Sequence, residues 1–243
     1  AVILIWNGGI ENRGWWFILG TSLIHILYYL FLSRSYMHAD LSLVYPLARG
    51  TGPILTAFLS ITLLGETISQ TALFGIMAVV SGIFAIYWWG QISQIFETPL
   101  TFLKNPGVRY ALLTGLAISG YTVWDKVGVS YVNPLLYMYL LSLGTSAGLA
   151  PYMIWKYGTR VIKQELVSNK FRILVSACLL FGTYVTILNV LQFSKVSYVA
   201  PAREIGIVFS LLLGSIVLKE SMGIGRIAGS LIITIGVFLI GIG

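Results

Sequence analysis

Charge is what this sequence has least of. Asp, Glu, Lys and Arg supply 9% of its 243 residues, against about 25% in soluble domains. That is too little to cover a water-facing surface, which excludes a soluble globular fold. Cysteine is nearly absent as well: Cys178 alone excludes an internal disulfide or a cysteine metal cluster, and its place inside an apolar block points to packing. The two histidines, His25 and His38, form no HExxH pair, and no GxxxxGK[ST] phosphate loop occurs. ATP-driven chemistry is therefore not encoded, no metal site is expected, and no cofactor is called for.

What is present is apolar material in long runs. Hydrophobic residues make up 57% of the chain and its mean hydropathy is +0.88. A bilayer core takes roughly 20 apolar residues in helix, and blocks of that size fall at 14–33, 40–64, 69–90, 108–126, 134–155, 172–193, 197–218 and 225–242. The expectation is an all-α polytopic membrane protein with about eight transmembrane helices. Trp6, Trp15, Trp16, Trp88, Trp89, Trp124 and Trp155 stand at or near block ends, where amphipathic rings settle at headgroup level.

The net charge of +7 raises the question of nucleic acid. The basic residues sit mainly in the connections between apolar blocks, with no basic helix or arginine-rich run. The bilayer is the expected partner and nucleic acid is not. Arg34, Lys104, Arg109, Lys156, Arg160, Lys163, Lys170, Arg172, Lys219 and Arg226 collect on one side of the expected topology, with Arg13, Lys126 and Lys195 on the other. By the positive-inside rule the first side is cytoplasmic.

An internal repeat organises the chain. At an offset of 154, Arg49 falls on Arg203, Gly52 on Gly206, Leu64 on Leu218, Glu66 on Glu220, Gly75 on Gly229 and Gly82 on Gly236. The copies begin an odd number of helices apart, so they cross the membrane in opposite directions. Inverted repeats place a site near the midplane, with alternating access by rocking of one half against the other. We read residues 1–90 as the first repeat and 91–243 as the second. Ala1–Trp6 reads as the tail of a helix, with no basic segment before it that would mark a signal peptide. By symmetry, two helices are expected to precede it.

The stretches Asp40–Pro53, Gly65-Glu66 and Gly75 in the first half, with Tyr121–Lys126, Val199–Glu204 and Leu218–Glu220 in the second, resemble the EamA-like members of the drug/metabolite transporter superfamily. The resemblance implies a ten-helix permease of small organic solutes, often an exporter, in a plasma (inner) membrane of bacterial type, with the first two helices missing here. It also implies an orientation opposite to the one the charge count favours.

Arg49 lies nine residues after Asp40, about 13 Å along a helix, and Arg203 eight after Lys195, about 12 Å. Both approach the midplane, where a cation costs at least ~2.5 kcal/mol and is paired or turned to a polar cavity. Glu204 is the anion available. Two readings stand: an Arg–Glu pair that fixes helix 40–64 against helix 197–218, or a solute contact with Glu204 as the proton-coupling carboxylate. Tyr45 precedes Arg49 by one turn; His25, Tyr28 and Tyr29 share helix 14–33, and Tyr121 and Trp124 share helix 108–126. These aromatic side chains suit amphipathic or cationic solutes, or else pack.

Pro46, Pro53 and Pro201 interrupt helices, lining a cavity or sitting harmlessly in a first turn, which fits Pro46 and Pro201 better. Asp125-Lys126, Glu66 and Glu220 fall at wet helix ends and read as solvated or capping charges. The paired glycines read as close helix contacts. The leading expectation is a secondary transporter and not an enzyme. An intramembrane enzyme or lipid-modifying protein is the alternative, as is a scaffold subunit that moves nothing.

Overall fold

The computed structural model describes residues 10–89, 103–217, 219 and 223–243. The expected helical tail at 1–6 with Trp6, and Leu218 and Glu220 of the repeat, lie outside the described residues. Among the described residues the helices are α1 Asn12–His38, α2 Leu41–Leu64, α3 Gln70–Trp88, α4 Pro106–Gly128, α5 Pro134–Ser168, α6 Lys170–Phe193, α7 Val196–Ala202, α8 Ile205–Val217 and α9 Ile224–Ile242, and no strand forms there. Among the described residues, six spans are long and apolar enough to cross a membrane: α1, α2, α3, α6, α7 with α8, and α9.

The other two expected blocks coincide with α4 and the first part of α5. Helix α4 is less apolar because its polar residues turn inward: Thr114, Ser119, Thr122 and Asp125 are all buried. The three hydroxyls donate to carbonyls of their own helix, on Tyr110, Leu116 and Ile118, which removes the cost of burying them. Helix α5 outlasts its apolar block. At Gly158 a positive φ of 76° breaks the helical path, a conformation that glycine adopts without penalty, and a short basic stretch with Arg160 and Lys163 follows.

The chain divides by packing into two compact units, and each draws on both halves of the sequence. The first comprises residues 1–26 and 124–194. In it, Asn133 starts α5 by accepting from the Leu135 N–H at 3.0 Å, with Pro134 in the first turn, where its missing N–H has no consequence. Lys126 Nζ donates to the Leu191 and Ser194 carbonyls at 2.5 and 2.9 Å, capping the end of α6. Most of α6 is exposed, with Leu188 and Leu191 its buried residues. Cys178, expected to pack, is exposed on α6; a helix apolar all round gives no face that only the protein interior can accept.

The second unit comprises residues 27–123 and 195–243. Its centre is the pair α3 and α9, which run antiparallel with glycines at the crossing. A Cβ on Gly75 would stand 2.6 Å from the Gly236 carbonyl oxygen, and one on Gly82 2.7 Å from that of Gly229. The relation is reciprocal: Gly229 would meet the Gly82 oxygen at 2.5 Å and Gly236 the Gly75 oxygen at 2.7 Å. Only glycine allows backbones this close. Around the crossing, Ile76, Val79, Ile83, Ile86, Ile207 and Ile233 form one buried cluster, and Val44, Leu47, Val108 and Ala111 form another. Trp15, Trp16, Trp89 and Trp155 are exposed.

Gly82→Ala and Gly229→Ala drive a methyl into backbone that has no rotamer with which to yield. Each is expected to destabilise by about 1–3 kcal/mol, read by thermal unfolding in detergent micelles. Gly182→Ala, where a Cβ meets nothing within 4 Å, is the control that leaves the midpoint unchanged or raises it.

Candidate functional site

The site begins with the way α2 ends. Gly65 takes the left-handed conformation, φ 67° and ψ 23°, and the Glu66 N–H returns to the Ser60 carbonyl at 3.2 Å, a glycine-terminated helix end. The loop that follows grips the start of α7. Glu66 Oε1 accepts from the Val196 N–H at 2.8 Å, and Oε2 accepts from the Ser197 N–H at 3.0 Å and the Ser197 hydroxyl at 2.6 Å. Lys195 Nζ donates to the Thr67 carbonyl at 2.6 Å, and the Ser69 N–H donates to the Tyr198 hydroxyl at 3.2 Å. Glu66 is thus a cap, as one reading of the sequence had it, but for a helix remote in sequence.

From this anchor α7 runs to Ala202 and stops. Pro201 has no N–H to give the Ser197 carbonyl, and the next turn closes with shorter loops: Glu204 N–H to Pro201 O, Gly206 N–H to Arg203 O and Ile207 N–H to Glu204 O, at 3.1, 3.1 and 2.9 Å. The helix resumes at Ile205. Pro46 and Pro201 are each the sixth residue of their helices, past the first turn where we expected them to be harmless. With α2 starting at Leu41 and α7 at Val196, both prolines fall in the second turn. Pro53, mid-way along an unbroken α2, releases the carbonyl of Arg49 from the helical ladder.

Glu204 occupies the break between α7 and α8, and its side chain is 1% exposed. Its Oε1 accepts from Arg49 Nη1 at 3.3 Å and from Arg203 Nε at 3.4 Å. Two guanidinium groups therefore hold one carboxylate where solvation by water is lost, the condition under which a buried charge is tolerated. Arg49 keeps 37% of its side chain exposed, and its guanidinium lies over the Tyr45 ring, 5.6 Å from the centroid. Tyr28 and Tyr121 lie within electrostatic reach of Arg49, and their rings meet edge to face at 5.8 Å.

Of the residues singled out from sequence, Arg49, Arg203, Glu204, Tyr45, Tyr28 and Tyr121 therefore come together, all within the second unit. Tyr29 lies beside them, edge-on to Tyr28 at 5.0 Å. Tyr36 and Tyr87 are additions that sequence reasoning missed: both lie within reach of Arg49, and Tyr87 packs on Tyr45 at 5.4 Å. The signal for Tyr36 was its place seven residues after Tyr29, on the same helix face; Tyr87 had none.

His25 and Trp124 belong to the first unit. Trp124 Nε1 donates to the Phe17 carbonyl at 2.9 Å and its ring lies over Gly20. His25 is buried beside Thr21. Asp125, expected at a wet helix end, is 0% exposed, because α4 continues to Gly128 and carries the residue inside. Among the described residues, no three His, Cys, Asp or Glu side chains gather as metal ligands.

Apolar helices of membrane-spanning length, one of them broken at a buried charge, with an ion pair and tyrosines around it, define a polytopic α-helical membrane protein. The sequence profile of the EamA-like transporter family matches residues 105–242, more than half of the chain, and the chain belongs to that family. The profile described as Small Multidrug Resistance protein matches residues 3–79. No curated protein matches. Thirteen chains of known structure do, among them a crystal structure that superimposes with a TM-score of 0.70 over 95% of this chain and 78% of its own, at 15% identity. A likeness at that identity shows the fold alone.

Arg49 and Arg203 share one carboxylate, so their losses should not add. Arg49→Met alone is expected to cost about 1–2 kcal/mol, since Arg203 stays on Glu204. Arg49→Met with Arg203→Met strands the buried carboxylate and should cost about 3–5 kcal/mol, more than the two single changes together. Denaturant unfolding in mixed micelles measures the cycle, and simple additivity would refute the shared arrangement.

Proposed function

We propose that this chain is a secondary transporter that exports a small organic solute by alternating access at the polar cluster around Arg49 and Glu204, and that it is not an enzyme. The observation that carries the reading is Arg49 itself. It is a guanidinium in the middle of apolar helices, tied to its carboxylate by one hydrogen bond and more than a third exposed. A guanidinium has five N–H donors, so Arg49 can hold Glu204 and still offer donors to a solute. The tyrosines around it present ring faces and hydroxyls, which suits a solute with an acceptor at one end and an apolar or aromatic body.

Membership of a transporter family supports movement of a solute over chemistry on it. The likeness to a multidrug resistance profile supports the outward direction, because resistance requires removal of a drug from the cell. Export takes effect across a plasma membrane, and we place the protein in a bacterial inner membrane. The repeat at 1–90 and 91–243 supports alternating access, since inverted halves can exchange their conformations. The reciprocal contacts of Gly75 with Gly236 and Gly82 with Gly229 are those that a two-fold relation between copies produces.

The test compares cells with and without the protein for tolerance to, and efflux of, a panel of amino acids, amines and drugs. At least one compound should be tolerated at higher concentration by the expressing cells. Arg49→Ala should raise the apparent KM for that compound about tenfold or more, the loss of a charge-assisted hydrogen bond, with membrane abundance unchanged. No shift for any compound overturns the reading.

A further inference from the structure

The first unit contains a buried carboxylate that the proposed solute site does not use. Asp125 is fully buried on α4, and its two oxygens are held by phenols from two other helices. Tyr137 on α5 donates to Oδ1 at 2.7 Å, and Tyr184 on α6 donates to Oδ2 at 2.5 Å. From α1, Thr21 and His25 also act on it. The His25 ring stands edge-on to Tyr184 at 5.8 Å. Its Nδ1 lies 2.9 Å from the Thr21 carbonyl and 3.1 Å from the Thr21 hydroxyl. A carbonyl only accepts, so Nδ1 carries a hydrogen in this contact. The neighbouring cation on α4, Lys126, is committed to the Leu191 and Ser194 carbonyls at the end of α6.

The contrast with Glu204 is chemical. Guanidinium groups only donate, so a proton on Glu204 would find no acceptor on Arg49 or Arg203 and would leave two cations facing a neutral acid. Phenols donate and accept. When Asp125 takes a proton, one phenol can turn its O–H away and accept from the new acid O–H while the other continues to donate. Both states of Asp125 are satisfied by the same side chains, and the His25 imidazole lies within electrostatic reach. A buried carboxyl built to be stable with and without its proton has the property that a coupling site needs.

We propose that Asp125, with His25, is a proton-binding site, and that this proton and not one on Glu204 is exchanged for the solute during transport. The proposal rests on the transport reading for its role in coupling, but not for the binding of the proton. In the exchange, one proton enters from the side to which solute is released, forms an O–H bond on Asp125, and leaves to the opposite side as the carboxylate is restored. No other bond changes.

Infrared difference spectra of the purified full chain in lipid nanodiscs, taken between about pH 5 and pH 9, read the proton directly. A carboxylic C=O band that grows on acidification in the wild type and disappears in Asp125→Asn is the expected result. Tyr137→Phe and Tyr184→Phe, which remove one hydroxyl each, should retain the band with its midpoint moved by about one pH unit or more. No titrating band, or one that persists unchanged in Asp125→Asn, overturns the site, as does an unmoved midpoint in both tyrosine variants.

Proteoliposomes loaded with pyranine and given the same panel of amino acids, amines and drugs test the coupling. Solute movement with proton flux in the wild type, and solute movement without proton flux in Asp125→Asn, is expected. Solute movement without proton flux in the wild type overturns the coupling role and leaves the transport reading standing. Movement of no solute at all overturns the transport reading and the coupling role with it, while the infrared band still decides the proton site.

Discussion

A carboxylate inside an apolar helical protein survives only if something replaces the water it has lost, and much of the second unit is arranged to meet that demand for Glu204. The residue sits where α7 gives way to α8, and it is neutralised by Arg203, its sequence neighbour, and by Arg49, which arrives from α2. For the pair to form, α2 and α7 must hold a fixed register. The loop after α2 provides it: Glu66 and Thr67 fasten the first turn of α7, and eight residues, about 12 Å of helix, then carry the chain from Lys195 to Arg203. An electrostatic requirement at depth is thereby met by a hydrogen-bonded clamp at the helix end.

Apolar packing supplies what charge cannot. Hydrocarbon offers no hydrophobic drive to bring helices together, so close contact must come from van der Waals fit. Gly75, Gly82, Gly229 and Gly236 let α3 and α9 approach until a methyl group would collide with the facing backbone. Isoleucines and valines fill the space beside the crossing, and Tyr45 and Tyr87 border the same cluster, which joins the packed core to the surroundings of Arg49.

Two buried carboxylates in one chain are stabilised in opposite ways. Glu204 is met by groups that are always cationic and only donate. Asp125 is met by phenols and an imidazole, groups that can reverse their hydrogen-bonding roles. The first arrangement suits a fixed electrostatic feature, as the proposed solute site requires. The second suits a charge that comes and goes. Helix α4 carries Asp125 at its far end and buried hydroxyls along its length, which is why it is less apolar than its neighbours.

The sequence by itself determined the all-α membrane class and, among the described residues, the position of the helices to within a few residues, apart from the extension of α1 and of α5 and the division of the expected helix 197–218 into α7 and α8, because hydrocarbon thickness and the scarcity of charge leave few alternatives. It also singled out Arg49, Arg203 and Glu204, since charges placed far from a helix end have to be paired or functional. Tyr45, Tyr28 and Tyr121 could be named from helix position alone. What only the tertiary structure decided was which distant groups meet. Glu66 caps a helix some 130 residues on, glycines pair crosswise between α3 and α9, Tyr36 and Tyr87 turn toward Arg49, and Asp125 looks like a helix end in sequence yet is enclosed by α1, α5 and α6. Periodicity and spacing report how a residue faces within its own helix. Burial of a single polar group depends on which other helix stands opposite, and no local pattern carries that information.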